Sequence, residues 1–417
     1  MDLGEIANPD AAGAAAPLEG VRVLAIEQMQ ALPFATQLLA RLGADVVKVE
    51  HPTQGESGRG AQPSMPDPDG RPLGATFLRN NLNKRSVGID LKAPEGRRLI
   101  LDLASRFDIV CENFKAGAMA RMGLGYDDVA AVHPSVIYLS VSGFGNTVAS
   151  PYDSWPAYAP IVEAMSGLYE YKRPPDEPPV VGPAGALGDI GTSLFGVVGV
   201  LAALRHRDRT GEGQYVDIAM LDAMVAFGDI VTNFWSMGLR PDPDRGNRPN
   251  LIMDGFRASD GWFIVQVGRE HQFERLAKTV GCPDWLSDER LADRSGWVTH
   301  LDDVIRPAIE GWAADKTKVE ACHALSAGGI AAGPCNDAAD VIDDPHVAAR
   351  NMLISIPHTA GGDPVLVPGN PVKMTHLVDG GDTRFPWVGE HTEEILVAEL
   401  GLSGARLSEL RESGVVS

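Results

Sequence analysis

The sequence has few cationic residues for its size. Of its 417 residues, 36 are Lys or Arg and 56 are Asp or Glu, and the formal net charge at pH 7 is −20. Such an acidic chain repels phosphate backbones and anionic lipid, so we expect neither nucleic-acid binding nor binding to a membrane surface. An anionic small molecule can still be held by a few local cations, because salt screens the remaining charge over about 8 Å.

Cysteines and long apolar runs are also scarce. The four cysteines form no CxxC pair and no metal-ligand spacing, so we expect free thiols in a reducing compartment. The longest uninterrupted apolar run, near residues 193–204, has about a dozen residues, fewer than the roughly 20 that cross a bilayer. Residues 1–17 are Ala-rich and acidic and lack the basic start of a signal peptide, which predicts a flexible tail. Together these features predict a cytoplasmic protein.

The phosphate-binding motifs of common nucleotide enzymes are missing. After the first apolar run the chain reads QMQALP over residues 28–33 in place of GxGxxG, and no GxxxxGK followed by Ser or Thr occurs. Enzymes that use nicotinamide cofactors or nucleoside triphosphates are therefore disfavoured.

Strand-type and helical patterns alternate through the first half of the chain. The strand-type runs cover residues 21–27, 45–50, 86–91, 108–112, 136–141 and 215–220, and the helical patterns cover 34–42, 94–107, 190–206 and 221–235. This alternation is typical of βαβ units and predicts an α/β fold with a Rossmann-like parallel sheet over residues 18–238. Ligands of such sheets bind at the carboxyl ends of the strands.

The second half of the chain predicts a smaller domain and a returning tail. A hairpin over residues 255–268, with its turn at 259–261, and helical patterns near 272–280 and 301–314 predict an α+β domain over residues 245–340. A Pro-rich surface loop over 172–183 and a linker over 240–249 are expected around it. Helical patterns at 390–400 and 405–412 predict that residues 345–417 return to the large domain.

Asp189 is the most informative single residue. It follows the small residues AGALG at positions 184–188 and stands at the start of an apolar helix. The helix dipole favours an ionised Asp there by about 0.3–1 kcal/mol. Two interpretations remain open from spacing alone: Asp189 caps the helix, or it is a carboxylate nucleophile whose oxyanion partners are the free N–H groups of the helix start.

Further segments carry a family resemblance through their joint order along the chain. The chain resembles the class III coenzyme A transferases, the CaiB/BaiF family, from about residue 18 to its C-terminus. The matching segments are ATQLLARLGADVVKVE (35–50), NKRSVGIDL (83–91), ENF (112–114), RMG (121–123), SGFG (142–145), AMSGL (164–168), ALGD (186–189), TGEGQ (210–214), DDP (343–345) and GEHT (389–392).

The resemblance implies an enzyme that moves coenzyme A (CoA) from an acyl-CoA to a carboxylic acid. Asp189 would attack the acyl-CoA, forming first a mixed aspartyl anhydride and then an aspartyl-CoA thioester. Gln30 would orient the acyl group beside it. The CoA thioester is a substrate, and no metal or redox cofactor is implied. The resemblance also implies a ring-shaped chain in an interlocked homodimer.

The resemblance further implies a set of CoA contacts in which cations offset phosphate charge and apolar side chains hold the adenine and pantetheine groups. These contacts fall on Met29, Gln30, Ile89, Lys92, Asn113, Phe114, Arg121 and Met220. His51 stands where an Arg often contacts the CoA phosphates, so CoA affinity is expected to be weaker or pH-sensitive there.

Departures from the family pattern leave two alternatives open. In the racemase branch a His–Asp pair precedes the segment matched here by Ser166, whereas this chain has Tyr158 and Ala159. A racemase needs two bases flanking the α-carbon, and Glu163 lies near enough in sequence to keep an α-methylacyl-CoA racemase-like isomerase open. The other alternative is a non-catalytic acyl-CoA-binding protein.

The glycine-run loop of formyl-CoA transferases has no counterpart near residues 245–250, which disfavours formyl-CoA and oxalate as substrates.

Overall fold

The structure, a computed structural model, describes residues 1–11, 13–170, 173, 176–182, 186–238 and 249–417. It divides into two compact units. The first comprises Met1–Tyr169, Val180–Asn233 and Pro345–Ser417, and the second comprises Glu170–Pro179 and Phe234–Asp344. Most of the predicted large domain, residues 18–238, shares the first unit with residues 345–417, whereas residues 170–179 and 234–238 of that predicted domain belong to the second unit. Parts of the predicted loop at 172–183 and most of the predicted linker at 240–249 lie outside the described residues.

The β-strands are numbered in chain order within the described residues. They are β1 (Arg22–Ile26), β2 (Asp45–Glu50), β3 (Ser64–Pro66), β4 (Pro72–Gly74), β5 (Lys84–Gly88), β6 (Ile109–Glu112), β7 (Ile137–Ser142), β8 (Gln214–Ala219), β9 (Ile252–Arg257), β10 (Trp262–Val267), β11 (Ala331–Pro334), β12 (Leu353–Ile356) and β13 (Val365–Pro368).

The α-helices follow the same order. They are α1 (Pro33–Arg41), α2 (Ala75–Asn80), α3 (Pro94–Ala104), α4 (Ala118–Arg121), α5 (Tyr126–Val132), α6 (Ala159–Met165), α7 (Leu187–Thr210), α8 (Met220–Ala226), α9 (Glu270–Thr279), α10 (Arg294–Thr299), α11 (Arg306–Ala313), α12 (Lys318–Ala327), α13 (Ala338–Ile342), α14 (Pro345–Ala349), α15 (Thr392–Leu400) and α16 (Gly404–Glu412).

A six-stranded parallel sheet forms the centre of the first unit, which confirms the predicted α/β architecture. The strand order is β5-β2-β1-β6-β7-β8, and every neighbouring pair is parallel. The chain builds outward from β1 in one direction to β2 and β5, and in the other direction to β6, β7 and β8. The order therefore reverses between β1 and β6, and the loops that follow these two strands flank the position where such sheets bind ligands.

Both faces of the sheet are covered. Successive residues of β1 point to opposite faces, so neighbouring residues belong to different buried clusters. Leu24 belongs to one buried cluster, which also contains Ile395 and Leu407 of the C-terminal helices. Val23 belongs to the cluster on the other face, together with Val200 of α7. The sheet is thus buried on both sides, as parallel sheets generally are.

The helix α7 is longer than the predicted helix at residues 190–206. It has 24 residues and ends before Gly211, whose φ of 79° is the left-handed conformation that glycine adopts readily at a helix C-terminus. Its length and composition would also suit a membrane span. The apolar runs of the sequence do not reveal this length, because Asp189 and Thr192 interrupt them. In this fold Val200 and Leu204 of α7 are buried against the sheet.

The predicted helix at residues 221–235 is wrong as a single element. The α-helix α8 ends at Ala226, and a separate π-helical turn follows at Ile230–Phe234. Gly228 lies between them, and glycine weakens a helix because its backbone is the most costly to order. The predicted strand at 86–91 is also displaced, since β5 begins two residues earlier, at Lys84.

The second unit contains the predicted hairpin. Strands β9 and β10 pair antiparallel, with Arg257 opposite Trp262, and β11 adds to the other edge of β10. Phe256, Phe263 and Trp297 lie in its buried core. The strand β11 was not predicted, because its sequence AAGP has neither alternation nor large apolar residues.

Both chain ends are paired within the first unit. Near the C-terminus, the Val415 carbonyl accepts a hydrogen bond from the Asp90 amide at 2.8 Å, and the Ser417 amide donates to the Gly88 carbonyl at 3.2 Å. At the N-terminus, predicted as a flexible tail, the Gly4 amide donates to the Asp382 carbonyl at 3.0 Å. The first residues thus bond to a segment more than 300 positions away, which no local sequence pattern could reveal.

Candidate active site

The loop after β1 is held in place by the loop after β6. The Asn113 side-chain amide donates to the Gln28 carbonyl, and the Gln28 amide donates to Asn113 Oδ1, both at 2.9 Å. The next residue, Met29, has a left-handed backbone with φ of 62°, and its amide donates to Glu56 Oε2 at 2.9 Å. These bonds offset the cost of an unusual backbone conformation at the point where the loop turns into the site. The Asn113 amide is thereby committed to the loop in this structure.

Buried charges lie beneath this loop. The Glu27 carboxylate contacts Lys84 Nζ at 2.7 Å and Lys48 Nζ at 3.3 Å, and it accepts a hydrogen bond from the Thr36 hydroxyl at 2.6 Å. Burial acts to raise the pKa of Glu27, but the two ammonium groups hold it below its ordinary value. Burial lowers the pKa of Lys84 to about 8, although Glu27 opposes the shift. The Glu27 carboxylate at the carboxyl end of β1 is therefore paired with two lysines beneath the loop.

Gln30 lies at the end of this loop and is buried. Its backbone carbonyl accepts a hydrogen bond from the Phe34 amide at 3.0 Å, which ties it to the start of α1. Among the residues that the structure describes, its side-chain amide has no hydrogen-bond partner. A buried amide without a protein partner is free to bond a polar group of a ligand.

Asp189 lies in the first turn of α7 and does not cap the helix. The N-cap residue is Ala186, and no side-chain capping bond is formed there. Within the described residues, the Asp189 carboxylate has no hydrogen-bond partner. The Ser193 hydroxyl bonds to the Asp189 carbonyl at 2.8 Å and to the Ala31 carbonyl, which joins this turn of α7 to the loop of Gln30. The structure thus removes the capping interpretation and brings Asp189 to the same loop as Gln30.

The environment of Asp189 makes its carboxylate more basic than usual. Burial raises the pKa of Asp189 to about 6, and the negative charge of Glu163 contributes to the rise. Glu163 accepts a hydrogen bond from the Gly188 amide at 2.9 Å. That N–H is therefore occupied in this structure, although the free N–H groups of the helix start were the predicted oxyanion partners.

The predicted CoA contacts lie in several places on the first unit. Ile89, Lys92 and Phe114 line a cavity of about 710 Å³ at the carboxyl ends of the strands. Arg121 lines a second cavity of about 630 Å³ next to Lys115. Both Lys92 and Arg121 are exposed cations, which suits contact with phosphate.

The remaining predicted contacts line neither of these two cavities. Met29 is exposed at the turn of the β1 loop. Met220 is buried among Ala159, Val162 and Met224, behind the start of α7.

His51 lines the larger cavity with Lys92. Its Nδ1 lies 3.3 Å from the Thr53 amide and 3.4 Å from the Gln54 amide, and both amides donate to it. A nitrogen that accepts two N–H groups carries no proton of its own, so the proton of the neutral ring is assigned to Nε2. A pH-sensitive contact between His51 and CoA stays a prediction.

Glu112 is a site residue whose role sequence analysis missed. It ends β6 and is buried, and its carboxylate accepts hydrogen bonds from the Phe114 amide at 2.8 Å and from the Ser140 hydroxyl. Burial raises the pKa of Glu112 to about 7, with a further contribution from the charge of Asp217. The available signal was an acidic residue at the end of the otherwise apolar strand IVCE. Its carboxylate shapes the loop that carries Asn113 and Phe114.

In the part of the chain that the structure describes, no group of three or more His, Cys, Asp or Glu residues could hold a metal ion. Among the described residues, the arrangement comprises instead the Asp189 carboxylate, which has no hydrogen-bond partner there, the buried Gln30 amide, and the exposed cations Lys92 and Arg121 in the two cavities. Such a set suits covalent chemistry at a carboxylate with an anionic substrate.

Comparisons with known proteins identify the family of this chain. The chain matches the model of CoA-transferase family III over residues 18–392. It is 33% identical over 404 residues to the succinyl-CoA–L-malate CoA-transferase beta subunit of Chloroflexus aurantiacus, covering 96% of this chain and 98% of that protein. It is 36% identical over 389 residues to the succinyl-CoA:mesaconate CoA-transferase of Haloarcula hispanica, covering 91% and 95%.

A solved structure shows the same fold. A CaiB/BaiF family protein from Brucella suis matches with a TM-score of 0.78 and 32% identity, covering 92% of this chain and 99% of that chain. The family match includes the segments that carry Gln30 and Asp189. The chain therefore belongs to CoA-transferase family III, the CaiB/BaiF family, and is an acyl-CoA:carboxylate CoA-transferase.

Proposed function

We propose that this enzyme moves CoA from a dicarboxylic acyl-CoA, with succinyl-CoA as the first donor to test, to a free carboxylic acid through covalent intermediates on Asp189. The observation that carries the proposal is the Asp189 carboxylate, which is half-buried, has no hydrogen-bond partner within the described residues and lies beside the loop of Gln30. The choice of donor rests on the names of the two relatives, both of which act on succinyl-CoA.

The reaction proceeds by two exchanges at carbonyl carbons. An Asp189 oxygen attacks the thioester carbonyl, the C–S bond breaks, and CoA leaves as the thiolate with the electron pair. The thiolate then attacks the Asp189 carbonyl of the mixed anhydride, and the donor acid leaves as its carboxylate. The acceptor carboxylate reverses both steps on the aspartyl-CoA thioester. Each step conserves charge, so the site must stabilise the transient oxyanions and exclude water.

The role of Gln30 follows from its side-chain amide, which has no hydrogen-bond partner among the described residues. Its N–H groups can donate to an acyl oxygen as charge develops there, which assists each carbonyl addition. Lys92 and Arg121 offset the phosphate charge of CoA, while Ile89 and Phe114 supply apolar contacts. The family resemblance also assigns Met29, Asn113 and Met220 to the proposed CoA site, although in this structure the Asn113 side chain bonds to Gln28 and Met220 is buried.

An exposed apolar face on α7 supports the proposed homodimer. Leu194, Phe195, Val198 and Leu201 are 45%, 37%, 64% and 38% exposed and lie on one side of the helix. An apolar face of this kind on an enzyme that we propose to be cytoplasmic is typical of a protein–protein interface. The occupant we propose is a second copy of the chain, and its ring-shaped, interlocked form rests on the family resemblance.

Covalent trapping tests the mechanism. The enzyme is incubated with succinyl-CoA and hydroxylamine, and its peptides are then examined by mass spectrometry. We expect a hydroxamate on the Asp189 peptide that depends on the acyl-CoA, because hydroxylamine intercepts activated aspartyl carbonyls. The variant Asp189→Ala should give none, whereas Asp222→Asn, which changes an exposed carboxylate on α8, should behave as the wild type.

Two outcomes would contradict the mechanism. A hydroxamate that persists in Asp189→Ala would place the covalent chemistry elsewhere. Solvent deuterium entering the α-position of an acyl-CoA, with no hydroxamate from any donor in a panel, would favour the isomerase. The structure gives the isomerase no support, because Glu163 already accepts hydrogen bonds from the Gly188 amide and the Tyr169 hydroxyl.

A further inference from the structure

Glu163 is a buried acid that the proposed reaction does not use. It lies on α6, is 4% exposed and faces the first turn of α7. Its Oε1 accepts the Gly188 N–H at 2.9 Å, and its Oε2 accepts the Tyr169 hydroxyl. Within the described residues no Lys, Arg or His forms an ion pair with it. The side chain is therefore held at both oxygens, and the described residues supply no cation paired with it.

The close approach of α6 and α7 depends on Gly188. A Cβ atom at this position would lie 2.9 Å from Val162 Cγ2 and 3.1 Å from the Ala159 Cα. Glycine therefore allows α7 to begin directly against α6, where its amide reaches Glu163. The fold thus places a second carboxylate next to the residue that precedes Asp189, and the two negative charges act on one another.

We propose, as an inference that rests on the proposed function, that Glu163 is a positioning residue. It fixes the first turn of α7 and disfavours the free Asp189 carboxylate relative to the acylated forms of Asp189. Asp189 loses its negative charge when its oxygen joins the acyl carbon of the donor, and it stays neutral as the CoA thioester. The charge moves to the CoA thiolate and then to the released acid. Repulsion between Glu163 and Asp189 is therefore present in the free enzyme and absent in both intermediates.

The groups around the pair support this assignment. From α6, Glu163 is the charged side chain that acts on Asp189. From the β1 loop, the Ala31 carbonyl accepts the Ser193 hydroxyl, and both Ala31 and its neighbour Gln30 are neutral. Tyr169 faces Glu163, and burial together with the hydrogen bond to Glu163 raises the pKa of this phenol, so it remains a neutral donor. Within the described residues no cation cancels the repulsion.

The variant Glu163→Gln tests the charge while keeping the shape. Its amide oxygen can accept the Gly188 N–H, but its negative charge is gone. We expect the acid limb of kcat/KM to move to lower pH by about 0.5–1 unit, because removal of a like charge makes Asp189 easier to ionise. We also expect the equilibrium ratio of aspartyl-CoA thioester to free enzyme, measured with succinyl-CoA, to fall by about three- to tenfold, which is the equivalent of the same shift.

The variant Tyr169→Phe is the matched control, since it removes a hydrogen bond to Glu163 and keeps the charge. It should leave the acid limb in place. If both variants lose activity equally and neither moves the acid limb, Glu163 is merely structural and the proposal is wrong. If Glu163→Gln does not fold, Glu163→Asp keeps the charge on a shorter side chain, and a limb displaced to lower pH by about a unit in that variant would overturn the proposal.

This test is separate from the test of the function itself. Failure of the proposed function shows as the absence of any covalent adduct in the wild-type enzyme. Failure of the role of Glu163 shows as a normal adduct in the wild type whose amount and pH dependence do not change in Glu163→Gln.

Discussion

Replacing Glu112 by glutamine should remove the contribution of this one buried carboxyl to the pH dependence of stability. Burial raises the pKa of Glu112 to about 7, whereas its ordinary value is 4.5. The difference of about 2.5 units corresponds to about 3 kcal/mol, at about 1.36 kcal/mol for each unit. This is the free energy lost when the buried carboxyl must ionise in the folded protein.

The sign follows from proton binding. Between pH 4.5 and about 7 the folded protein keeps the proton on Glu112 while the unfolded chain releases it. The folded state therefore binds more protons, and the free energy of unfolding falls as pH rises through this window. The stability is fully present below the unfolded pKa and is lost above the folded pKa. Glutamine does not titrate, so the variant lacks this contribution.

The assay is urea denaturation of both proteins at about pH 4.5 and about pH 8, monitored by a spectroscopic signal that reports the unfolding of the first unit. Between these pH values the free energy of unfolding of the wild type should fall by about 3 kcal/mol more than that of Glu112→Gln. Comparing the two proteins cancels the titration of the groups that do not interact with Glu112. The exposed Glu19→Gln serves as a control and should follow the wild type. Equal pH dependence in Glu112→Gln and the wild type would refute the reasoning.

Three further predictions concern stability, substrate binding and assembly. Arg41 and Asp382 form an ion pair at 3.0 Å in which both side chains are 4% exposed. Arg41→Met breaks this pair and should lower the free energy of unfolding, measured by urea denaturation, by about 3–5 kcal/mol. An unchanged urea midpoint would contradict this prediction. Lys92→Ala should raise KM for the acyl-CoA by about two- to fivefold at low salt and leave kcat unchanged in steady-state kinetics, whereas a loss confined to kcat would argue against phosphate binding. Val198→Asp places a charge on the exposed face of α7 and should shift the protein toward monomer in analytical ultracentrifugation; a dimer of unchanged affinity would move the interface elsewhere.

Local patterns were sufficient for the strands and helices around the site. The strand-type run at residues 45–50 coincides with β2, and the helical pattern at 34–42 lies within one residue of α1. Both succeed because the apolar period of the sequence matches the geometry of the element. The start of β5 was missed because Lys84 resembles a surface residue, and its burial depends on Glu27, 57 positions away.

The residues of the site likewise differ in whether local sequence patterns could reveal them. Asp189 and its glycine-rich approach were recognisable in the sequence, because a helix start and a family motif are local features. Its partnership with Glu163 was not recognisable as such, since it depends on α6 packing against α7 at Gly188. The sequence by itself therefore determined the βαβ order and the family, and it predicted Asp189 as the carboxylate that reacts. Only the tertiary structure decided which charges are buried together and which hydrogen bonds are already occupied, because burial and charge proximity arise from residues far apart in the chain.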